Sequence, residues 1–93
     1  MDIYKKLKIM TLTRRLAEVE GNIKFWSKLI ARWEEQRKLF ESKRFPSVFA
    51  NIETGKLDGN INFNRTRIAH WRIESNSIRK QLEELGVEVR ANI

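Results

Sequence analysis

Apolar residues recur at alternating steps of three and four along two stretches of this chain. Two such stripes are most simply buried against each other as a pair of antiparallel helices. The first stripe runs Ile9, Leu12, Leu16, Val19, Ile23, Trp26, Ile30, Trp33 and Phe40, interrupted by Arg37. The second runs Ile61, Asn64, Ile68, Trp71, Ser75, Ile78, Leu82 and Leu85. Lettering each heptad from a to g, with Ile9 and Ile61 as a positions, puts Glu20, Glu34 and Glu41 at e in the first and Arg65, Arg72 and Arg79 at e in the second. Antiparallel packing sets e against e, so acid faces base. The flanking charges predict Glu41 opposite Arg65 and Glu34 opposite Arg72. In that register residues 21–44 and 63–86 form the hairpin, and residues 2–20 extend beyond it as a basic helix with no partner inside it.

Ninety-three residues make one domain, near the size at which association often supplements a single core. Nineteen Lys and Arg against twelve Asp and Glu leave a net charge of +7, with a sequence pI of about 10.2. That balance suits nucleic acid, an anionic membrane or an acidic protein surface. Lys5, Lys6, Lys8, Arg14 and Arg15 against Asp2 place +4 of it in the first fifteen residues. The absence of cysteine excludes a disulfide framework, thiolate catalysis and cysteine-ligated zinc. No apolar run is long enough to span a bilayer or to form the core of a secretory signal, so the expected location is the cytoplasm. The sequon Asn64-Arg65-Thr66 carries little weight without other signs of secretion.

Asp2 is a suitable cap for a first helix, whose periodicity continues to about Arg44 before Pro46 forbids it. Gly21 lies inside this helix, as a tolerated glycine or as a hinge; the unbroken period favours a straight helix. Residues 45–62 carry turn chemistry: Pro46, Ser47, Asn51, Thr54-Gly55 and Asp58-Gly59-Asn60. This predicts a structured connection in which 48–52 and 60–63 pair as a small β-hairpin. The second helix is expected to begin at Asn62 or Asn64 and to stop at Gly86. Residues 87–93 form a tail, with Val87-Glu88-Val89 alternating like a strand.

Trp26, Trp33, Phe40 and Trp71 sit on the seam, where large aromatics are core before they are a stacking platform. Phe25, Leu29 and Leu39 widen the first stripe beyond what two helices need. That width predicts a dimer of hairpins forming a helical bundle. Arg37, Asn64 and Ser75, polar residues on the seam, are placed to fix register or oligomer state.

Catalytic chemistry finds no constellation. His70 is the single histidine and falls at a solvated c position, so neither a metal site nor a nucleophile–histidine pair follows. Asp58, Asn60 and Asn62 imitate the start of an EF-hand, but Phe63 and Ala69 occupy the places of its glycine and bidentate glutamate. Thr54-Gly55-Lys56 imitates the end of a phosphate loop without the earlier glycine. The pairs Glu34-Glu35 and Glu83-Glu84 diverge by about 100° on a helix, so neither presents two acids to one substrate. The expectation is a protein that is not an enzyme and carries no cofactor or metal.

The basic residues are more informative. Arg14, Lys24, Lys28, Arg32 and Lys38 fall largely on the outer b, c and f positions of the first helix, with Lys8 and Arg15 at g. Lys5, Lys6, Lys8, Arg14, Arg15, Lys24, Lys28 and Arg32 suit phosphate contacts without sequence readout. Tyr4 and Trp26 would stack bases if exposed. Alternatively, Ile9, Leu12, Leu16 and Val19, with Phe25 and Leu29, form a stripe suited to a protein partner or to self-association, the mode of a regulatory or inhibitory adaptor. Ile3, Tyr4, Leu7 and Met10 offer a narrow amphipathic contact for a membrane surface. The stretch 74–89, Glu-Ser-Asn-Ser-Ile-Arg-Lys-Gln-Leu-Glu-Glu-Leu-Gly-Val-Glu-Val, resembles the helix-to-strand segment near the C-terminus of cysteinyl-tRNA synthetases. Its aromatic-alanine and alanine-aspartate pairs are not reproduced: Ser75-Asn76 replaces the second and Trp71 is out of register, so tRNA binding is not inferred. Small basic helical proteins of this kind are common among phage and mobile-element accessory proteins, an analogy of profile alone. The reading is therefore a mainly α, coiled-coil hairpin dimer that binds DNA or RNA, with a protein-binding adaptor as the alternative.

Overall fold

The computed structural model describes residues 2–42 and 47–89. They form two helices, α1 (Ile3–Ser42) and α2 (Ser47–Glu84), packed side by side as a hairpin 66 Å long and 18 by 14 Å across. Asp2 begins α1 as expected, its Oδ1 accepting from the Tyr4 backbone N–H at 3.1 Å. The helix continues unbroken through Gly21. The predicted end of α1 near Arg44 and the turn at Pro46 lie outside the described residues, as does the tail beyond Val89.

The connection differs from the sequence expectation. No strand is present among the described residues, and 47–62 are the first four turns of α2. The helix neither starts at Asn62 or Asn64 nor leaves a β-hairpin before it. Gly55 and Gly59 each weaken a helix by roughly 1 kcal/mol relative to alanine. Against that, Leu57 and Ile61 are buried at 8% and 4% exposure, and each such side chain contributes about 1.5–3 kcal/mol. Packing outweighs propensity here, and the heptad stripe extends back through Leu57.

At its other end α2 stops as predicted. Gly86 has φ 81°, its N–H bonds the Glu83 carbonyl at 2.9 Å, and the Val87 N–H bonds the Leu82 carbonyl at 3.0 Å. These paired bonds form a Schellman motif, in which glycine tolerates the left-handed conformation. Val87 and Val89 are not a strand; they fold onto Leu16, Ile78 and Leu82, with Ile9 and Leu12 packed on the same cluster.

The longer α2 resets the register. Acid faces base across the e positions, but one heptad away from the expected match: Arg65 pairs with Glu34 and Arg79 with Glu20. Arg72 has Ser27 at the facing e position. Glu41 faces Asp58, and Arg37 bonds both acids. Apolar burial accounts for the choice. This register covers Leu16 (8% exposed) and Val19 (0%), whereas an exposed ion pair such as Glu41–Arg65 is worth only about 0.2–1 kcal/mol. Residues 9–19 are therefore part of the hairpin and not an overhang.

A second cluster, Ile30, Ile61 and Ile68, carries Ile23, Trp26, Trp33 and Trp71 around it. The polar seam residues are accommodated. Asn64, 5% exposed, donates to the Asn60 carbonyl at 2.9 Å and accepts from Arg67 Nη1 at 3.3 Å. No buried side-chain nitrogen or oxygen among the described residues lacks a partner.

Candidate nucleic-acid interface

A straight 40-residue helix displays its outer positions as a line. Lys5, Lys6, Lys8, Arg14, Arg15, Lys24, Lys28 and Arg32 are all exposed. The rise of about 1.5 Å per residue spreads them over roughly 40 Å. Arg14, Lys24, Lys28 and Arg32 follow the outer b, c and f positions, while Lys5, Lys6, Lys8 and Arg15 sit at d, e and g, so together they form an extended surface and not a pocket.

Arg15 does not belong to the available set. Its Nε and Nη2 bond both Glu74 carboxylate oxygens, at 2.8 and 2.9 Å, and its Nη1 bonds Glu18 at 3.2 Å. The bond to Glu74, reinforced by Glu18, raises the Arg15 pKa above its ordinary value. In turn Arg15 holds the Glu74 carboxyl below the usual carboxylate range. Arg37 is committed likewise: the hydrogen bond to Asp58 is the largest cause of its raised pKa. No ion pair is found for Lys5, Lys6, Lys8, Arg14, Lys24, Lys28 or Arg32 among the described residues.

Two arginines that sequence reasoning did not assign to a site also reach the surface. Arg72 and Arg65 border an open groove of about 360 Å³ between the helices, floored by Ile30 and Ile68 with Ser27 and Ala69 on its walls. Arg72 stands there because the one-heptad change of register puts serine, not glutamate, opposite it. Knowing that register was the only route to this residue.

Arg67 is the second. Its guanidinium lies 4.8 Å from the Trp26 and Trp71 ring centres and 5.8 Å from that of Phe63. The Phe25 ring meets Trp26 edge-on at 5.3 Å. Trp26 is half-buried beneath this arginine, while Tyr4 is exposed and open to stacking.

The apolar residues divide. Ile9 and Leu12 are half-buried against α2 and the tail, and Leu16 and Val19 are buried, so this stripe is occupied within one chain. Phe25 is 61% exposed and Leu29 half-buried, both outside the seam. Ile3, Tyr4, Leu7 and Met10 are exposed.

No protein-family model, curated protein or solved structure matches this chain. The likeness of 74–89 to a synthetase segment gains no support from these comparisons, and its expected strand is not formed. Among the described residues no cluster of His, Asp or Glu could hold a metal ion, and no helix is long and apolar enough to cross a membrane. The EF-hand and phosphate-loop imitations lie within the continuous α2, which offers no loop to wrap an ion or a phosphate. Asn64 of the sequon is buried in the same helix.

Proposed function

We propose that this protein is a non-enzymatic, dimeric nucleic-acid-binding accessory or regulatory protein that contacts the phosphate backbone along α1. The observation that carries the reading is the set of exposed cations with no ion pair among the described residues: Lys5, Lys6, Lys8, Arg14, Lys24 and Lys28 on α1, with Arg72 on the groove. Acid is interspersed elsewhere, but residues 3–15 have none, so the field is strongest at that tip. Such contacts bind without reading bases and weaken steeply as salt rises.

The test is fluorescence anisotropy of labelled duplex DNA, single-stranded DNA and RNA, in low and near-physiological salt. Reversing Lys5, Lys8 and Arg14 to glutamate should weaken binding to all sequences alike and flatten the salt slope. Binding that is unchanged by these reversals, or absent at low salt, overturns the reading.

A second reading, a protein-binding adaptor or inhibitor, is favoured by Ile3, Tyr4, Leu7 and Met10, which stand exposed at the same tip. It moves the docking stripe away from the occupied Leu12 and Leu16. Replacing Leu7 and Met10 by serine should leave the hairpin folded and abolish partner capture, while nucleic-acid binding persists.

A further inference from the structure

Along the side of the hairpin formed by the c and g positions, Glu18, Phe25 and Arg32 follow one another on α1 at intervals of one heptad, about 10.5 Å. The register sets Ser77, His70 and Phe63 of α2 level with them. Phe25 and Phe63 are 61% and 65% exposed. With Leu29 and the ring-stacked Arg67 they form an apolar centre, flanked by acid at one end and base at the other. Arg32 has no ion pair among the described residues. Glu18 shares its arginine with Glu74, so that group of three retains a net negative charge.

We infer that a second copy of this chain packs on this side, antiparallel, with α1 against α1 and the two-fold axis passing between the two Phe25 rings. Rotation about that axis exchanges the ends of the patch. Arg32 of each chain meets Glu18 of the other, and the two Phe25 rings meet each other with His70 level beside them. The parallel arrangement, with α1 against α2 of the second copy, would instead bring Arg32 against Phe63 and Glu18 against Ser77, leaving both charges without a counter-charge. The patch is thus self-complementary in one orientation only, as an isologous interface requires. Its composition, aromatic rings with arginine at the centre and charge at the rim, is that of an interface core. The outer b and f positions that carry Lys24, Lys28 and Arg14 remain open, and the two basic tips lie at opposite ends of the assembly. Arg32 then serves the dimer and not the phosphate contacts.

This inference rests on the dimer in the reading above, but not on nucleic acid. Sedimentation equilibrium of the intact chain should give a dimer. Arg32→Glu should weaken its dissociation constant by about tenfold or more, since two symmetry-related attractions become repulsions. Glu18→Arg combined with Arg32→Glu should restore it. Far-UV circular dichroism controls for folding, and both sites are exposed. Because the chain has no cysteine, Phe25→Cys should oxidise readily to a disulfide-linked dimer, whereas Ile73→Cys, exposed at an f position on the outer back of α2, should not. A monomer at all concentrations overturns both the dimer and its face. A dimer indifferent to Arg32→Glu, or one in which the Ile73→Cys variant cross-links as fast as Phe25→Cys, overturns the face alone. Anisotropy titrations judge the nucleic-acid reading separately.

Discussion

Leu16, Ile78 and Leu82 form a small aliphatic cluster that Ile9, Leu12, Val87 and Val89 close over. Ile30, Ile61 and Ile68, by contrast, lie among Ile23 and three tryptophans that the hairpin covers only in part. Both clusters follow the same heptad rule, yet they solve different problems. At the aliphatic end two helices and a folded-back tail provide enough surface to bury what the stripe presents. In the middle the side chains are too wide for a two-helix seam. Part of the aromatic surface is therefore left for Arg67, and on our proposal for a second chain, to cover. Side-chain size, rather than hydrophobicity, separates the region that completes itself from the region that does not.

The sharpest way to break this contrast is to empty each cluster in turn. Leu82, 1% exposed, should cost roughly 2–5 kcal/mol as Leu82→Ala, read from urea unfolding. Ile30→Ala should fall at the lower end of that range, because half-covered tryptophans have room to relax into the space. Equal costs would mean that both clusters are packed alike. Next in size is Glu20, whose pair with Arg79 is the most enclosed of the ion pairs, with side chains 17% and 18% exposed. Glu20→Ala leaves a largely covered guanidinium without this carboxylate and should cost about 2 kcal/mol in the same assay.

Much of this was legible in the chain. The a and d positions and the glycine stop announced two antiparallel helices, and the e positions announced that acid would face base. The register was not legible, because a heptad repeat is degenerate to shifts of seven and exposed charges discriminate weakly between them. The choice depended on where α2 begins. Gly55, Asp58 and Gly59 read locally as turns, while the evidence against a turn was the burial of Leu57 and Ile61, a tertiary fact. The candidate interface suffered from the same error. Leu12 and Leu16 looked available only because the register was set one heptad away, which left the C-terminal end of α2 short of them. Arg15 looked free for phosphate only because Glu74 was not placed beside it. Arg14, Lys24 and Lys28, on outer positions in either register, were unaffected.

Glycine provides a matched pair of substitutions that sharpen this point. A Cβ added at Gly59 or at Gly86 meets nothing within 4 Å, but only Gly86 has a positive φ. Gly59→Ala should stabilise the hairpin by about 0.5–1 kcal/mol. Gly86→Ala should destabilise it by about 1 kcal/mol and loosen Val87 and Val89 from the aliphatic cluster. Both are measurable as shifts of the thermal midpoint. Destabilisation by Gly59→Ala would restore the turn that the sequence suggested.

The smallest effect bears on how the aliphatic end is latched. The bidentate bond from Arg15 depresses the Glu74 pKa in the folded chain, so the pair contributes its stability above the ordinary carboxylate pKa. That contribution is lost as pH falls through the lower folded value. Both groups are well exposed, and water screens most of the attraction. The native protein should therefore exceed Glu74→Gln in thermal midpoint by a small margin at neutral pH, and the margin should close in acid once Glu74 is protonated. A gap that persisted at strongly acid pH would assign the effect to packing at the junction of the helices. The aliphatic end would then owe its closure wholly to Leu16, Ile78, Leu82 and the tail, with the ion pair as a passenger.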